Sequence, residues 1–287
     1  MREIYVIGSM SMDLVVQSEK RPAKGETILG DHFFMTTGGK GANQAVSAAR
    51  LGANVHMVGC VGDDTFGETI VKNLVDNGVH VENVETIPQC ASGTAHITLA
   101  DHDNSIIVVP SANFKVTKEL VDQVFKSMKD DAIILIQNEI PKDVTTYIIE
   151  SAYEKGITVV YNPAPFIEMD VELLKKVTYF TPNETEVEAF FGSDYESIIQ
   201  DYDKQLIVTL GDKGAVFYDE ALIHVPSIKA DVVDTTGAGD TFNGAFAVGL
   251  SEGMNIQEAI QFANKAASIS VTGLGAQGGM PYRKDMN

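Results

Sequence analysis

The 287-residue sequence predicts an α/β fold: a parallel sheet covered by helices on both faces, an α/β/α sandwich, with a small β-sheet inserted into it. Three observations lead there. Short apolar runs rich in β-branched residues alternate with helical stretches, the rhythm of a parallel sheet. Two other stretches break that rhythm and read as strands alone. The chain is 44% hydrophobic with a mean hydropathy near zero, the balance of a globular protein with a sizeable core.

The elements follow in order. "EIYVIG" (3–8) is an apolar strand ending in glycine. "DLVVQSEKRPAKGETILGDHFFMTTGG" alternates in polarity and has no helical pattern. "NQAVSAARLG" (43–52) is helical with a glycine stop, and Asn43 opens it. "NVHMVGCVG" is a second buried strand, and "DTFGETIVKNLVDNG" a helix with Gly78 just past its end. "TAHITLADHDNSIIVVP" reads as a hairpin around the polar turn "DHDN". "AIILIQ", "ITVVYN", "TYFTPN" and "QLIVTLG" are further strand-like runs, some separated by helices such as "PKDVTTYIIESAYEKG". The two non-conforming stretches, about 9–37 and 92–110, are expected to form one small sheet over a single α/β domain spanning 1–287. Such a sheet reads as a lid, an edge extension or a dimerisation surface, and one face can cover a ligand while the other pairs.

Composition narrows the function. Lys and Arg number 21 against 40 acids, a net charge of −19. That argues against nucleic-acid binding, which needs clustered positive charge. An anionic ligand would need a locally organised site. Cys60 and Cys90 form no CxxC pair and suit a reducing cytoplasm. The histidines show no metal-ligand spacing. No window approaches the ~18–20 apolar residues of a membrane span, and the N-terminus lacks a signal-peptide pattern, so a cytoplasmic location is expected.

Five constellations carry chemistry, most of them where an apolar run ends. In α/β sheets ligands sit beyond the carboxyl ends of strands. "GSMSMD" puts Asp13 past the first strand, where a carboxylate can accept from a sugar diol; a turn aspartate is the plainer reading. In "TTGGKGANQAV", Gly38, Gly39 and Gly41 surround Lys40 ahead of a helix start. Glycines allow close approach and helix-start amides attract anions, though a "GGKG" turn is more often structural. In "YFTPNETEVEAFFG", Asn183 and Glu186 have capping-box spacing, and they also suit waters around a divalent cation on a nucleotide. "TLGDKG" (209–214) is either a hairpin or a backbone surface for a nucleotide. "DTTGAGDTFNGAFAVGL" sets Thr236, Gly237, Ala238 and Gly239 at a helix N-terminus, an anion site. Asp240 stands beside it. As a cap it gains ~0.3–1 kcal/mol from the dipole, but a carboxylate next to a bound polyanion makes better sense as a proton acceptor in phosphoryl transfer.

Taken together, "GGKGANQA", "NPAP", "TPNETE", "TLGDKG", "DTTGAGDTFNGA" and "GAQ", in this order, resemble the PfkB family of carbohydrate kinases and most closely its ribokinase-like branch. The resemblance runs from Gly8 to Pro281. "GAGD" marks only the wider family; "GGKGANQA", "NPAP" and "GAQ" are more selective. It implies a ribokinase-like fold and ATP-dependent phosphorylation of D-ribose at O5. It implies that Asp240 is the base and that Gly237, Ala238 and Gly239 form the anion hole. Ser11, Asp13, Gly39, Lys40, Asn43 and Glu139 would contact sugar. Asn183, Thr209, Gly211, Asp212, Gly214, Gly239 and Asn264 would contact ATP. Asn183 and Glu186 would sit near Mg²⁺ through water. Asp234, Thr236, Ser270, Gly273, Gly275 and Gly279 would hold a monovalent cation, K⁺ in most of the family. Separately, the lid hairpins lead to the expectation of a homodimer through them.

The chain departs from the pattern at Ser11, where the family often has Asn, and in two short segments, 193–205 and the C-terminus. The segments touch no motif, so stability is expected to suffer more than chemistry. Deoxyribose, another pentose or a nucleoside remain as acceptors. A non-catalytic sugar-sensing regulator would lack Asp240 or the glycines, or carry a DNA-binding domain; the sequence shows none of these marks. A dinucleotide-dependent dehydrogenase would need three glycines after the first strand.

Overall fold

The computed structural model describes residues 1–101 and 103–286. Along the chain come β1 (Ile4–Ile7), β2 (Ser11–Gln17), β3 (His32–Gly38), α1 (Lys40–Arg50), β4 (Val55–Gly62), α2 (Thr65–Asp76), β5 (His80–Ile87), β6 (Gly93–Ala100), β7 (Asp103–Val109), α3 (Lys118–Ser127), β8 (Ile133–Ile136), α4 (Lys142–Lys155), β9 (Thr158–Tyr161), α5 (Val171–Leu174), β10 (Tyr179–Phe180), α6 (Glu184–Phe191), β11 (Ile207–Thr209), β12 (Ala215–Asp219), β13 (Ala221–Val225), α7 (Ala238–Ser251) and α8 (Ile256–Ser270).

Six strands form a wholly parallel sheet in the order β10-β9-β8-β1-β4-β5. Its strands are buried on both sides, so they read as continuous apolar runs. Strand β1 shows the division. Ile4 and Val6 join a core with Val46 of α1, Phe246 of α7 and Ile260 of α8. Tyr5 and Ile7 face a second core with Val121 of α3 and Ile148 of α4. The chain first builds β4 and β5 on one side of β1, then β8, β9 and β10 on the other. The direction of travel therefore reverses between β1 and β8, and their carboxyl ends open onto a crevice. Local signals set the helix ends. Asn183 and Asn255 each make a reciprocal capping box with the glutamate three residues on, and Gly156 ends α4 in the left-handed conformation.

A separate four-stranded sheet, β3-β2-β6-β7, is inserted between β1 and α1 and again before α3. Strand β2 pairs antiparallel with β3 and parallel with β6, and β6–β7 is a hairpin. Of its expected turn "DHDN", His102 lies outside the described residues, and Asp103 and Asn104 belong to β7. Buried Asn113 anchors the sheet's base, since its side chain both donates to and accepts from the Met10 backbone.

Three details differ from the sequence reading. Helix α1 starts at Lys40, not Asn43. The Lys40 backbone N–H donates to the Glu139 carboxylate at 3.0 Å, so the cap comes from nearly a hundred residues away and local pattern cannot show it. "QLIVTLG" runs parallel to the chain at the end of β10 but is not one of the six strands of the parallel sheet. Its strand β11 pairs antiparallel with β12 in a three-stranded sheet with β13. Two isolated parallel bridges, Phe180–Leu206 and Asn183–Thr209, tie it to the end of β10; the turn at 211–214 folds β12 straight back onto it. Finally, β5, α3, α5, β13 and α8 went unassigned. Strand β5 is a half-exposed edge, which weakens its apolar pattern. The short segment at 193–205 holds two 3₁₀ turns. Among the described residues no helix is long and apolar enough to cross a membrane.

Helices α1 and α7 pack along small residues. A Cβ built on Gly244 would lie 2.7 Å from both the Gln44 carbonyl oxygen and the Ser47 Cβ. Ala normally gains ~1 kcal/mol over Gly inside a helix. Here the obstacle is partly backbone, and overpacking costs about 1–3 kcal/mol, so the clash wins. Gly244→Ala is expected to lower the melting temperature in a thermal denaturation scan; an unchanged or higher value would contradict this packing.

Candidate active site

Asp240 is the third residue of α7 and only 7% exposed. Its burial is tolerable because both carboxylate oxygens are hydrogen-bonded. Consecutive residues of α1 supply the donors: Asn43 Nδ2 to Oδ2 at 2.9 Å, and Gln44 Nε2 to Oδ1 at 3.0 Å. The helix starts from Gly237 at φ 78°, a left-handed turn that glycine adopts without strain. Gly237 also lies so close to the Ala276 carbonyl that a Cβ there would sit 2.4 Å from its oxygen.

Two cavities meet at this carboxylate. The larger, about 500 Å³, lies in the crevice beyond β1 and β8. Ser9, Ser11, Asp13, Lys40, Asn43 and Glu139 give it polar walls, and Ala95, Ile97, Ile106 and Val108 of the inserted sheet give it an apolar one. The smaller, about 150 Å³, is lined by Asn162, Thr181, Asn183, Glu186, Thr209 and Gly239. Lys40, Gly237 and Asp240 line both. The first N–H groups of any helix lack intrahelical partners, and a Cβ at Gly239 would project into open space. The start of α7 therefore faces a space that a phosphate could enter, with the dipole favouring its charge.

The electrostatics are uneven. Burial pulls the Lys40 ammonium down, but Asp240, Glu139 and Glu186 outweigh it and hold it above its ordinary value. Burial pushes Asp13 up to about 6; the Ser11 hydroxyl, 3.3 Å from its Oδ1, opposes this, and Glu139 and Asp240 add to it. Glu186 is also raised by burial, against the Asn183 N–H and Lys40. The Glu139 carboxylate accepts from the Ser9 hydroxyl as well as from the Lys40 backbone.

Of the residues singled out in the sequence, the structure brings Ser11, Asp13, Gly39, Lys40, Asn43, Glu139, Thr236, Gly237 and Asp240 to one cavity. It brings Asn183, Glu186, Thr209 and Gly239 to the other. The remainder lie elsewhere. Gly211 and Asp212 are exposed. Gly214 is buried against the β13 exit. Asn264 is buried, and its amide donates to the Val225 and Pro226 carbonyls. Asp234, Thr236 and 270–279 converge in one loop cluster. The Asp234 carboxylate accepts from the Thr236 N–H and hydroxyl and from the Gly275 N–H. Burial raises this acid, but those donors outweigh it and hold it below its ordinary value. Among the described residues no three His, Cys, Asp or Glu side chains converge as a metal cage. Any cation in the 234/270–279 cluster would rely largely on backbone oxygens.

Gln44, Gln137, Asn162 and Gln277 were missed. Gln137 Nε2 donates to Gln44 Oε1 at 2.7 Å, and Gln44 donates to Asn162 Oδ1 as well as to Asp240. Gln277 Nε2 donates to Asn43 Oδ1 at 2.9 Å. "GGKGANQA", "NPAP" and "GAQ" contained three of the four. The available signal was two adjacent amides, Asn43 and Gln44, in an otherwise small and apolar helix.

A crevice at the sheet's switch point, sharing a buried carboxylate with a helix N-terminus, defines a kinase-like arrangement for small polar substrates. The pfkB family carbohydrate kinase model matches residues 1–283. A ribokinase of Lactococcus lactis is 48% identical, over 98% of this chain and 94% of that protein. A deoxyribokinase of Salmonella typhi is 36% identical, over 99% and 97%. The structure of Arabidopsis thaliana ribokinase complexed with ribose and ATP superimposes with a TM-score of 0.89 at 35% identity, covering 99% of this chain and 97% of that one. The chain belongs to the pfkB family of carbohydrate kinases.

The raised Asp13 yields a prediction of opposite sign for stability and binding. Its native carboxyl holds a proton more tightly than the unfolded one, so between about pH 4 and 6 stability falls as pH rises. Above that range the ionised group costs the fold on the order of 3 kcal/mol. At about pH 8, Asp13→Asn is expected to raise the melting temperature and weaken sugar binding by calorimetry. A lower melting temperature would contradict the burial argument.

Proposed function

We propose that the chain transfers the γ-phosphoryl group of ATP to O5 of D-ribose, with Asp240 as the general base. The observation that carries this reading is that the one buried carboxylate at the start of α7 lines both cavities. The acceptor would lie in the larger cavity, its hydroxyls accepted by Asp13 and Glu139 and met by Lys40, Asn43 and Ser11. Three carboxylates around one ammonium suit an uncharged polyol. The nucleotide would lie toward Asn183, Thr209, Gly211, Asp212, Gly214 and Asn264. Its terminal phosphate would meet the backbone of Gly237, Ala238 and Gly239. Asp240 takes the proton of the attacking hydroxyl, and Lys40 offsets charge on the group in transit. No covalent enzyme intermediate is needed, since positioning and electrostatics suffice for phosphoryl transfer.

Mg²⁺ would neutralise phosphate charge, and a monovalent cation, K⁺, would order the loop before α7. Asn183 and Glu186 are proposed to reach the Mg²⁺ through water; their capping box points both into the smaller cavity. Asp234, Thr236, Ser270, Gly273, Gly275 and Gly279 are proposed to surround the K⁺. The inserted sheet would act as a lid, and its exposed Phe33, Phe34, Met35 and Ile107 would pair with a second copy as a homodimer. A cytoplasmic location completes the proposal.

One observation favours a second acceptor, deoxyribose or another pentose or nucleoside. Ser11 places a short hydroxyl against Asp13, where an amide would reach further, and a deoxyribokinase is among the relatives. An ADP-release assay across D-ribose, deoxyribose, other pentoses and nucleosides, with and without K⁺, decides between them. Ribose is expected to give the highest kcat/KM, with K⁺ raising it. In the same assay Asp240→Asn is expected to bind sugar yet lose turnover by on the order of a hundred- to ten-thousand-fold. Turnover near that of the parent would remove Asp240 from the chemistry.

A further inference from the structure

We propose that Gln44 is a positioning residue for Asp240, held in its donating orientation by Gln137. The inference rests on the reading of Asp240 as the base. A carboxylate has about four acceptor positions, and the amides of Asn43 and Gln44 take one on each oxygen. That leaves each oxygen a free lone pair and fixes the plane in which it points. A base works only within hydrogen-bond reach of its proton, so the plane matters.

The direction of the Gln44 amide is decided by its other partners. Its Oε1 accepts from Gln137 Nε2 at 2.7 Å. Its Nε2 therefore faces the opposite way, with one proton for Asn162 Oδ1 and one for Asp240 Oδ1, each at 3.0 Å. A flipped Gln44 amide would set oxygen against carboxylate and nitrogen against nitrogen. Gln44 and Gln137 are both fully buried; Gln137 Oε1 has no hydrogen-bond partner, and Asn162, whose Nδ2 donates to the Thr181 carbonyl, offers Gln44 only its Oδ1. Asn43 is held in the same manner on the other side. Gln277 Nε2 donates to its Oδ1, while Gln277 Oε1 accepts from Asn73 Nδ2 and from the Thr37 hydroxyl. Each oxygen of Asp240 is thus held by an amide that a glutamine orients. Gln44 and Gln137 line neither cavity, so their effect on turnover passes through the residues Gln44 holds, Asp240 and the cavity-lining Asn162, and not through contact with substrate.

Gln44→Met removes the donor at nearly constant size. Steady-state ADP release should show kcat reduced roughly ten- to hundredfold, the range for a hydrogen bond to a charged group. KM for sugar and ATP should stay within about twofold. Gln44→Glu, which replaces the donor by an acceptor, should lose more. Gln137→Met, which only frees the amide to turn, should lose kcat several-fold and serves if Gln44→Met folds poorly by thermal scan. The decisive readout is the double variant: in an Asp240→Asn background, Gln44→Met should lower the residual turnover no further, because residues acting as one unit are not additive. An unchanged kcat in Gln44→Met, a rise in KM alone, or an equal loss in the Asp240→Asn background would overturn the proposal. If Asp240→Asn itself keeps turnover, the base assignment fails instead, which separates the two outcomes.

Discussion

The structure depends on one constraint: a carboxylate, Asp240, is buried where α1 and α7 meet. An unpaired buried charge is costly enough that proteins neutralise or partner it. Here its partners are the amides of Asn43 and Gln44, at 2.9 and 3.0 Å. For those amides to reach it, α1 must begin directly at the end of β3. Its first N–H must then find an acceptor, and Glu139 beyond β8 provides one. The parallel order of β1 and β8 is what carries Glu139 there. The start of α1 and the β1–β8 pairing therefore serve the same demand.

The second constraint is charge. A chain of net charge −19 must meet a polyanion if it is to handle ATP. It does so locally. Lys40 lines both cavities, and the acids around it keep it ionised despite its burial. The start of α7 adds backbone N–H groups and a dipole without adding a side-chain charge. The acids gather instead in the larger cavity, where burial raises Asp13 and the charges of Glu139 and Asp240 add to it. The fold keeps these opposed fields within a few residues of each other by letting α1 run between them.

Much of this was legible in the sequence, and the gaps have physical causes. Buried strands such as "AIILIQ" announce themselves because both their faces are apolar, and Asn183 and Glu186 announce a capping box by spacing alone. The candidate residues Asp13, Lys40 and Asp240 could be singled out because they lie in the first residues of β2, α1 and α7, close behind glycines. What failed depends on contacts distant in sequence. The start of α1 is set by Glu139, and the buried apolar run of β11 does not show that its partner β12 is antiparallel. Gln44, Gln137 and Gln277 were invisible for a related reason. Beyond the adjacent amides of Asn43 and Gln44, nothing local marks them, and their value comes from the buried acid and amides they face.

The small residues of "TTGAGDTFNGAFAVGL" join these strands of argument. Gly244 lets α7 touch the α1 backbone, so a Cβ there would collide with the Gln44 carbonyl. Gly237 lets the loop before α7 touch Ala276, next to Gln277. Both glycines thus set distances to residues that orient the amides on Asp240. A wider seam would lengthen the hydrogen bonds from Asn43 and Gln44 together, leaving the carboxylate buried but less well partnered. Close packing and the chemistry proposed for Asp240 are for this reason not separable features of α7. The glycines that make the helix pack are the ones that hold the acid in reach of its donors.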